Sequence, residues 1–361
     1  MRRATAAPAS PSTPPSSIPP RRRMPSRAKA SRFVPSPSST NSTKTTRQRE
    51  LIRMNMQGRA GIITGAGRGI GRDIALLLAK EGASVIVNDF GVGRGGEATD
   101  EKPADTVVAE IQAAQGKAAA NFDSIADYAS AGRMVAQCVE TYGKIDFLVN
   151  TAGMLRERMI WNMTEDDFDA VINVHLKGYW NMCHHAVKIM RTQRYGRIVN
   201  FSSDAFKGSV GQCNYAAAKA GIIGLTRTIA NEAGRYGITA NSMCPMAATR
   251  MTVNDAVIAG WKRRLERGLL TQAQYDSRMA MPGPEFVAPM VVYLCTEDAK
   301  DVNGQMFHAE RSLIHTYRYG EEAKSIYKHT DNGLFTVDEL IETVPASLMA
   351  GIPNPSPAEE G

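Results

Sequence analysis

The feature that most constrains the fold is an alternation of short apolar segments with longer helical ones, which starts at Arg59. Continuous apolar segments are typical of buried parallel strands, and the helices between them cover both faces of the sheet. The sequence therefore predicts a single α/β domain with a doubly wound parallel sheet. The predicted strands lie near 60–64, 84–89, 118–122, 146–150, 196–202, 238–243 and 305–308. The predicted helices lie near 72–80, 103–114, 127–142, 165–193, 214–235 and 285–296.

A glycine-rich turn, Gly65-Ala66-Gly67-Arg68-Gly69-Ile70-Gly71, joins the first predicted strand to the first helix. Glycines let the backbone bring a pyrophosphate against the helix N-terminus, where free N–H groups and the helix dipole favour anions. Asp89 ends the next strand, where a carboxylate can accept hydrogen bonds from ribose hydroxyls and repel a 2′-phosphate. This Rossmann-type pattern predicts an NAD site. Because Arg68 could contact a phosphate, NADP is the alternative.

Tyr215 and Lys219 are four residues apart in an apolar helical run, so their side chains share one helix face. A phenol loses its proton near pH 10, and a neighbouring ammonium group favours the phenolate. The pair could therefore act as a general acid/base near neutral pH. A packed tyrosine beside a solvated lysine is the structural alternative, and the rest of the chain must decide between the two.

Several motifs together resemble the short-chain dehydrogenase/reductase family, in that family's order. They are Thr64 to Gly71, Asp123, Asn150-Thr151-Ala152-Gly153, Asn173 in Asn173-Val174-His175-Leu176-Lys177-Gly178, Tyr215 with Lys219, and Pro245 with Thr249. The resemblance covers about residues 56–320. It implies that Asn173, Tyr215, Lys219 and a serine are catalytic, with Asn173 holding a water that links Lys219 to solvent. It implies cofactor contacts from Gly65, Arg68, Gly69, Ile70, Gly71, Asp89, Asp123, Asn150, Ala152, Gly153, Tyr215, Lys219, Pro245 and Thr249.

The serine of the site has two candidates. Counting back from Tyr215 by the family's usual spacing gives Ser202, whereas aligning the strand 196–203 gives Ser203. A one-residue slip turns a side chain to the other face of a sheet, while loops absorb changes in length. Strand register therefore favours Ser203, and the hydroxyl of Ser202 would be satisfied by backbone at the strand end.

Within the family, other stretches resemble the (3R)-hydroxyacyl-CoA dehydrogenase unit of multifunctional enzyme type 2. They include Val87-Asn88-Asp89-Phe90-Gly91, Gly153-Met154-Leu155-Arg156-Glu157-Arg158 and Gly211-Gln212-Cys213-Asn214-Tyr215. The likeness implies an NAD-dependent oxidoreductase that interconverts a secondary alcohol and its ketone, with a 3-hydroxyacyl-CoA thioester as one candidate substrate. A non-catalytic, NAD-sensing or partner-binding protein on the same fold is the alternative. The full Asn, Ser, Tyr and Lys set favours the enzyme. Family members pair through long helices, which implies a homodimer or homotetramer.

The segment 246–282 lies where the family places a substrate lid. Its apolar residues could cover a substrate: Met251, Trp261, Leu265, Leu269 and Leu270. Its basic residues could meet the phosphates of a CoA thioester: Lys262, Arg263, Arg264 and Arg267. A solvated basic helix face is the more economical interpretation of those four residues.

The two ends of the chain differ from its middle. Residues 1–53 are rich in Pro, Ser, Thr and Arg and are predicted to be disordered, residues 54–320 form the NAD-binding domain, and residues 321–361 form a helical tail. The first 49 residues hold 11 of the 43 Lys and Arg residues and none of the 36 acidic ones, so the body is mildly acidic. The amino-terminal extension could be a transit peptide, a basic arm, or sequence upstream of the true start at Met54 or Met56.

Composition excludes several classes of function. The acidic body argues against nucleic acid as a partner. Five cysteines with no two closer than 30 residues give no metal-ligand spacing, so no metal is predicted. No apolar run reaches the roughly 18 residues that span a bilayer. The expected location is cytoplasmic, with organellar targeting by residues 1–53 as the alternative.

Overall fold

The computed structural model describes residues 54–97, 99–318, 320, 323–328 and 335–352. These residues all belong to one unit, Ile52–Gly361. The strands are β1 (Ala60–Thr64), β2 (Ser84–Asn88), β3 (Lys117–Asn121), β4 (Phe147–Asn150), β5 (Gly196–Phe201), β6 (Ile238–Pro245), β7 (Met306–Glu310) and β8 (Leu313–Tyr317). The helices are α1 (Gly69–Lys80), α2 (Pro103–Ala113), α3 (Tyr128–Tyr142), α4 (Glu165–Ile172), α5 (Gly178–Gln193), α6 (Cys213–Ala233), α7 (Asp255–Glu266), α8 (Gln272–Met279), α9 (Ala288–Cys295) and α10 (Val337–Ala346).

The strands form one sheet in the order β3-β2-β1-β4-β5-β6-β7-β8. The first seven are parallel, and their residues at the centre of the sheet are buried and apolar. The predicted doubly wound fold and its seven strands are therefore confirmed. An eighth strand, β8, pairs antiparallel with β7 and closes the edge of the sheet. The sequence prediction missed β8 because this edge strand exposes Leu313 and Ile314, which hides the usual alternation.

The helix predicted over 165–193 is interrupted. A five-residue π turn, Asn173–Lys177, joins α4 to α5 without changing the direction of the chain. At its end the backbone N–H of Gly178 donates to the carbonyl of Asn173, an i to i+5 bond. Such bulges are frequently found at functional sites. Here the π turn passes beside the end of α6 that carries Tyr215 and Lys219.

The order of the strands locates the functional edge. Strands β1 and β4 are neighbours in the sheet, although two strands separate them in the chain, so the winding direction reverses between them. Ligands of open α/β sheets bind outside the carboxyl ends of the strands at such a switch point. The glycine turn follows β1, Thr151 to Gly153 follow β4, and Ser202 and Ser203 follow β5. These residues therefore meet at one edge of the sheet.

The segment between β6 and α9 contains two helices. Helices α7 and α8 occupy the segment that was predicted as a lid, between β6 and α9, and contact each other. Near the carboxyl terminus, α10 lies within the segment predicted as a helical tail. In the described part of the chain, no helix is long and apolar enough to cross a membrane.

Candidate active site

Two adjoining cavities lie at the carboxyl edge of the sheet. The first, of about 300 Å³, extends from the glycine turn to the ends of β2 and β3. The second, of about 380 Å³, lies between the end of β5, the start of α6 and the lid helix α7. Both cavities are lined by Ile70, Thr151, Gly153, Phe201, Thr249 and Met251. A long ligand could therefore pass from one cavity into the other.

The glycine turn forms a tight cradle at the start of α1. A Cβ atom on Gly71 would lie 2.5 Å from the carbonyl oxygen of Gly65, and one on Gly67 would lie 2.7 Å from the carboxylate of Asp89. Gly69 has a φ of +55°, which a residue with a side chain rarely adopts. Within the described residues, no side chain caps the N-terminus of α1. The first N–H groups of this helix are thus available to an anion such as a pyrophosphate.

Asp89 is buried at the far end of the first cavity. Its carboxylate accepts a hydrogen bond from the N–H of Gly67 at 3.0 Å and from the N–H of Gly91 at 2.9 Å. The two bonds hold the carboxylate beside the glycine turn, where an adenosine ribose would lie. Arg68, which lines the same cavity, forms an ion pair with Glu101. The carboxylate therefore faces the cavity while Arg68 already has an anionic partner.

Arg250 was not found by the sequence analysis. It lines the first cavity and donates to the carbonyl of Val92 at 3.0 Å. Burial and the charge of Arg68 lower the pKa of Arg250, which indicates that the two guanidinium groups lie close together. The residue follows Thr249 in an irregular segment that no motif describes, so no sequence signal marks it.

Most of the residues predicted to contact a cofactor line one or both cavities. They are Gly65, Arg68, Gly69, Ile70, Gly71, Asp89, Asp123, Ala152, Gly153, Tyr215, Lys219, Pro245 and Thr249. The contact of Asn150 with a cofactor stays a prediction. It is fully buried, and its amide donates to Asn200 at 2.9 Å, so its side chain joins β4 to β5 and lines neither cavity.

The two serines after β5 have different partners. The Ser202 hydroxyl is buried and donates to the backbone carbonyl of Lys219 at 2.8 Å. The Ser203 hydroxyl accepts a hydrogen bond from the N–H of Ala205 and lies within hydrogen-bonding reach of the Tyr215 phenol, where it acts to lower the pKa of that phenol. Ser202 therefore joins the end of β5 to α6, while the Ser203 hydroxyl lies beside the phenol of Tyr215.

Lys219 is buried beneath Tyr215, with 3% of its surface exposed. Its ammonium nitrogen donates to the carbonyl oxygen of Phe201 at 2.6 Å and lies 5.3 Å from the ring centroids of both Tyr215 and Tyr179. The position between two aromatic rings favours a cation. The interpretation of Lys219 as a solvated surface lysine is thus wrong.

The ionisation of the pair differs from the expectation of a lowered tyrosine pKa. Burial raises the pKa of Tyr215 to about 12, although the hydrogen bond from Ser203 acts in the opposite direction. Burial lowers the pKa of Lys219 to about 7. The desolvation that disfavours each charged form is therefore stronger than the attraction between the two groups. A further positive charge near the phenol is needed to favour the phenolate.

Asn173 is not at the site. It is exposed, begins the π turn and lines neither cavity, whereas His175 is buried and lines the second cavity. The ring of His175 meets that of Tyr215 edge-on, with centroids 5.1 Å apart and an angle of 84° between the planes. Successive helical residues are rotated by about 100°, so two residues apart point in nearly opposite directions and only one can face Tyr215. His175, and not Asn173, therefore lies beside Tyr215, and the catalytic role of Asn173 stays a prediction.

A sequence signal for His175 did exist. Four buried residues of this helical segment lie three or four positions apart, at Val171, His175, Tyr179 and Met182, and Asn173 lies outside that series. This spacing is that of one helix face. Matching the motif by residue type led to the asparagine, while the periodicity points to the histidine.

One wall of the second cavity is polar. Arg94, Glu157 and Gln212 line it, and Glu157 accepts from Arg94 at 2.5 Å and from Gln212 at 2.6 Å. The opposite wall, from the lid, includes Met251 and Trp261 as predicted.

The other lid residues lie away from the cavities. Leu265 is partly buried, Leu270 is buried, and Leu269 is 64% exposed. The four basic residues are exposed and line neither cavity: Lys262, Arg263, Arg264 and Arg267. Their placement agrees with a solvated helix face. Across the described ranges, no group of three or more His, Cys, Asp or Glu side chains could hold a metal ion.

Comparison with known proteins identifies the family. Residues 59–257 match the sequence profile described as short chain dehydrogenase. A short chain dehydrogenase structure from Mycobacterium avium is 40% identical, with a TM-score of 0.68 over 81% of this chain and 95% of that chain. Hydroxyacyl-CoA dehydrogenase ChsB1 of Mycobacterium tuberculosis is 37% identical over 75% of this chain and 80% of its own.

A longer relative matches through part of its length. Peroxisomal multifunctional enzyme type 2 of Drosophila melanogaster is 38% identical over 69% of this chain, and the match spans 38% of that enzyme. The profile covers more than half of the chain, and the ordered motifs lie on the predicted fold. The chain is an oxidoreductase that belongs to the short-chain dehydrogenase family.

Proposed function

We propose that the protein is an NAD-dependent dehydrogenase that interconverts a secondary alcohol and its ketone, with Tyr215 as the acid/base. The observation that carries this proposal is the meeting of Tyr215, Ser203 and Lys219 in a cavity that adjoins the glycine cradle. A hydride donor and a proton donor need to reach neighbouring atoms of one substrate. The two adjoining cavities supply that arrangement.

NAD fits the residues of the first cavity. The uncapped start of α1 would hold the pyrophosphate, and the Asp89 carboxylate would accept hydrogen bonds from the adenosine ribose. A 2′-phosphate would meet the same carboxylate at close range, which supports NAD over NADP. Arg68 and Arg250 are the groups that argue for NADP. Arg68 already pairs with Glu101, whereas the Asp89 carboxylate is held against the glycine turn by the N–H of Gly67. When bound, the nicotinamide ring accepts or returns the hydride.

Tyr215 would take the hydroxyl proton of the alcohol during oxidation and return it during reduction. Its pKa, raised to about 12 by burial, must fall before the phenolate can act as a base. Lys219 and an oxidised nicotinamide would both place positive charge beneath or beside the phenol, and each favours the phenolate. The Ser203 hydroxyl would donate to the substrate oxygen and stabilise charge that develops there.

Lys219 would also hold the nicotinamide ribose. Its ammonium group has three N–H donors, and Phe201 accepts one of them at 2.6 Å. Binding a cofactor hydroxyl would give a second donor a partner and so favour the charged lysine. The cofactor and the charge of Lys219 are therefore expected to stabilise each other.

The substrate class that we propose is a 3-hydroxyacyl thioester. One relative carries the name hydroxyacyl-CoA dehydrogenase, and the second cavity combines an apolar lid wall with a polar wall. A thioester with a β-hydroxyl group has both characters, because its chain is apolar and its carbonyl and hydroxyl groups accept hydrogen bonds. The exposed basic residues of α7 lie outside the cavity and are not required by this proposal.

A substrate panel tests the function. Secondary alcohols and (3R)- and (3S)-hydroxybutanoyl-CoA would be offered with NAD and with NADP, and the reduced cofactor followed by its absorbance. Tyr215→Phe is expected to abolish turnover and to retain NAD binding, because the phenyl ring keeps the packing and removes the proton carrier. Tyr293→Phe, on an exposed face of α9, is the matched control. Turnover by the Tyr215→Phe protein would refute the assigned acid/base, and NAD binding without turnover of any substrate by the wild type would favour a cofactor-sensing role.

Assembly and location complete the proposal. We propose a homodimer or homotetramer, which light scattering of the full chain would reveal as two or four chain masses. Tyr128 and Trp180 stack on an exposed face of α3 and α5, with ring centroids 5.9 Å apart, and such a face supports pairing of chains. We propose a cytoplasmic location. Fluorescent fusions of residues 1–361 and 54–361 would both be diffuse, and organelle staining lost on truncation would favour targeting instead.

A further inference from the structure

The segment that follows β2 runs from the first cavity to the second. Val92 lines the first cavity and Arg94 lines the second. The backbone carbonyl of Arg94 accepts a hydrogen bond from the N–H of Leu155 at 3.0 Å. The carbonyl of Gly95 accepts one from the side chain of Arg156 at 3.2 Å. These bonds join the segment to the chain that follows β4, so Arg94 is held at one side of the second cavity.

The guanidinium group of Arg94 has more donors than its carboxylate partner uses. Its Nη2 donates to one carboxylate oxygen of Glu157 at 2.5 Å, and the other oxygen accepts from the amide of Gln212 at 2.6 Å. A guanidinium group has five N–H donors, and 32% of the Arg94 side chain is exposed. Nε is buried, so the donors that a ligand can reach are on the two terminal nitrogens.

This polar wall lies beside Tyr215. Gln212 immediately precedes α6, Tyr215 lies in the first turn of that helix, and both line the second cavity. Burial is the main cause of the raised pKa of Tyr215, and the charge of Glu157 adds to it. Glu157 is thus close enough for its charge to act on the phenol. A substrate whose hydroxyl group reaches Tyr215 and Ser203 would place its neighbouring atoms near this wall.

The charges of the wall select the kind of oxygen that it can bind. Arg94 and Glu157 form an ion pair, so together they carry no net charge. A neutral carbonyl oxygen can accept a hydrogen bond from Arg94 without disturbing that pair. A carboxylate would also meet the negative charge of Glu157, and it would lose more hydration on entering the cavity. The wall therefore suits a neutral carbonyl group.

We propose that Arg94 is a substrate-binding residue that donates a hydrogen bond to the neutral carbonyl oxygen of a 3-hydroxyacyl group, while Tyr215 and Ser203 bind its hydroxyl. Glu157 and Gln212 are positioning residues that hold the guanidinium group. This inference rests on the function proposed above. Two contact points, one at the carbonyl and one at the hydroxyl, select a 3-hydroxyacyl thioester over a simple secondary alcohol and over a free 3-hydroxy acid.

Three substrates separate these possibilities. The 3-hydroxybutanoyl thioester of N-acetylcysteamine has the neutral carbonyl and lacks the nucleotide of CoA. 3-Hydroxybutanoate has a carboxylate at the same place, and 2-pentanol has no oxygen there. For the wild type, kcat/KM for the thioester should exceed that for each of the others by about tenfold or more, the usual effect of a hydrogen bond from a charged donor.

The test variant removes the donor and its partner's charge together. Arg94→Met alone would leave the Glu157 charge unpaired beside Tyr215, so Arg94→Met is combined with Glu157→Gln. The double variant should lose about tenfold or more in kcat/KM for the thioester and stay within about threefold of the wild type for 2-pentanol. Turnover of 2-pentanol also shows that the variant is folded.

Two further variants serve as comparisons. Glu157→Gln alone keeps the donor and removes the negative charge, so kcat/KM for 3-hydroxybutanoate should rise by about tenfold while that for the thioester changes by less than about threefold. Lys328→Met with Glu339→Gln removes an ion pair of 2.7 Å that lies outside both cavities. This remote double variant should leave the ratios among the three substrates unchanged.

The outcomes distinguish this inference from the proposed function. Equal losses for the thioester and 2-pentanol in the double variant would show that Arg94 only supports the fold, and would overturn the inference. A wild type that prefers 3-hydroxybutanoate, or that does not distinguish the thioester from 2-pentanol, would also overturn it and leave the dehydrogenase activity standing. A wild type that reduces no cofactor with any substrate of the panel would overturn the proposed function, and this inference with it.

Discussion

Gly153 and His175 lie so close that a Cβ atom on the glycine would come within 2.3 Å of Cε1 of the histidine. The imidazole is buried and bonded to Met154, so it cannot move aside without loss of that contact. The glycine that ends the Asn150–Gly153 motif thus leaves space for the side chain of His175, which lies outside that motif. In this chain, the lack of a side chain at Gly153, after the end of β4, leaves room for the imidazole to contact Tyr215.

Gly153→Ala is therefore expected to destabilise the protein by about 1–3 kcal/mol, the usual effect of an overpacked core, and to reduce turnover. Urea unfolding and steady-state kinetics would measure both effects. Gly224→Ala is the matched control, since a Cβ atom there meets nothing within 4 Å. In the middle of α6 that change should be neutral or stabilise by about 0.5–1 kcal/mol. If Gly153→Ala behaves like the control, the ring is not fixed as described.

The same pair allows a test of coupling. In the double variant Gly153→Ala with His175→Asn, the smaller amide leaves room for the new methyl group. The loss of stability should then be less than the sum of the two single losses, because contacting residues are not additive. Additive losses would contradict the close contact.

Lys219 makes the stability of the fold depend on pH. Its pKa is about 7 in the folded chain and near 10.5 when unfolded, so both states are charged below pH 7 and only the unfolded state is charged above it. Between these values the unfolded state binds more protons, and the free energy of unfolding rises with pH. Relative to Lys219→Met, the wild type should gain about 1.4 kcal/mol per pH unit between roughly pH 7.5 and 9.5.

Urea unfolding of both proteins across that range would measure the difference. Lys188→Met, at an exposed position of α5, provides the control and should run parallel to the wild type. A difference between wild type and Lys219→Met that stays constant with pH would mean that Lys219 remains charged when folded.

Asp89 is expected to govern the choice of cofactor. In Asp89→Ser the repulsion of a 2′-phosphate is lost, while Arg68 and Arg250 remain beside the first cavity. The ratio of kcat/KM for NAD to that for NADP should fall by roughly tenfold or more, the equivalent of about 1.4 kcal/mol. Asp100→Ser removes a carboxylate from an exposed position outside both cavities and should leave the ratio unchanged. If the ratio of kcat/KM values is unchanged in Asp89→Ser, the adenosine ribose does not bind beside Asp89.

Trp261 is expected to contact the substrate chain. It lines the second cavity and lies under the guanidinium group of Arg278, 5.6 Å from the ring centroid. Trp261→Ala removes a large apolar surface, whose burial is worth about 1.5–3 kcal/mol, so the KM for an apolar substrate should rise about tenfold or more. Leu269→Ala, at a 64% exposed position of the same segment, should have little effect. An equal KM in both variants would show that Trp261 of the lid does not contact the substrate.

Local motifs predicted much of this site because each motif lies within one turn or one helix face. Local sequence fixes the geometry of the glycine turn before Asp89 and of the Tyr215–Lys219 pair, and this geometry does not depend on where the sheet places them. Strand register also chose between the two serines, and the hydroxyl near the phenol is that of Ser203. Its catalytic role remains a prediction.

The differences between the predictions and the structure depend on tertiary packing. Matching by residue type selected Asn173, which is exposed, whereas the buried His175 lies beside Tyr215. Asn150 was taken for a cofactor contact, although its amide is bonded across the sheet to Asn200. Strand β8 was missed because its pairing with β7 depends on tertiary structure more than on its own residues.

The π turn at Asn173–Lys177 also has a consequence for how such enzymes diverge. Adding or removing one helical residue rotates everything beyond it by about 100°. Deletion of a single codon within this turn would let α4 and α5 run as one regular helix and would carry a different side chain to the ring of Tyr215. A frame-preserving deletion, with no amino-acid replacement at all, could thus exchange the neighbour of Tyr215.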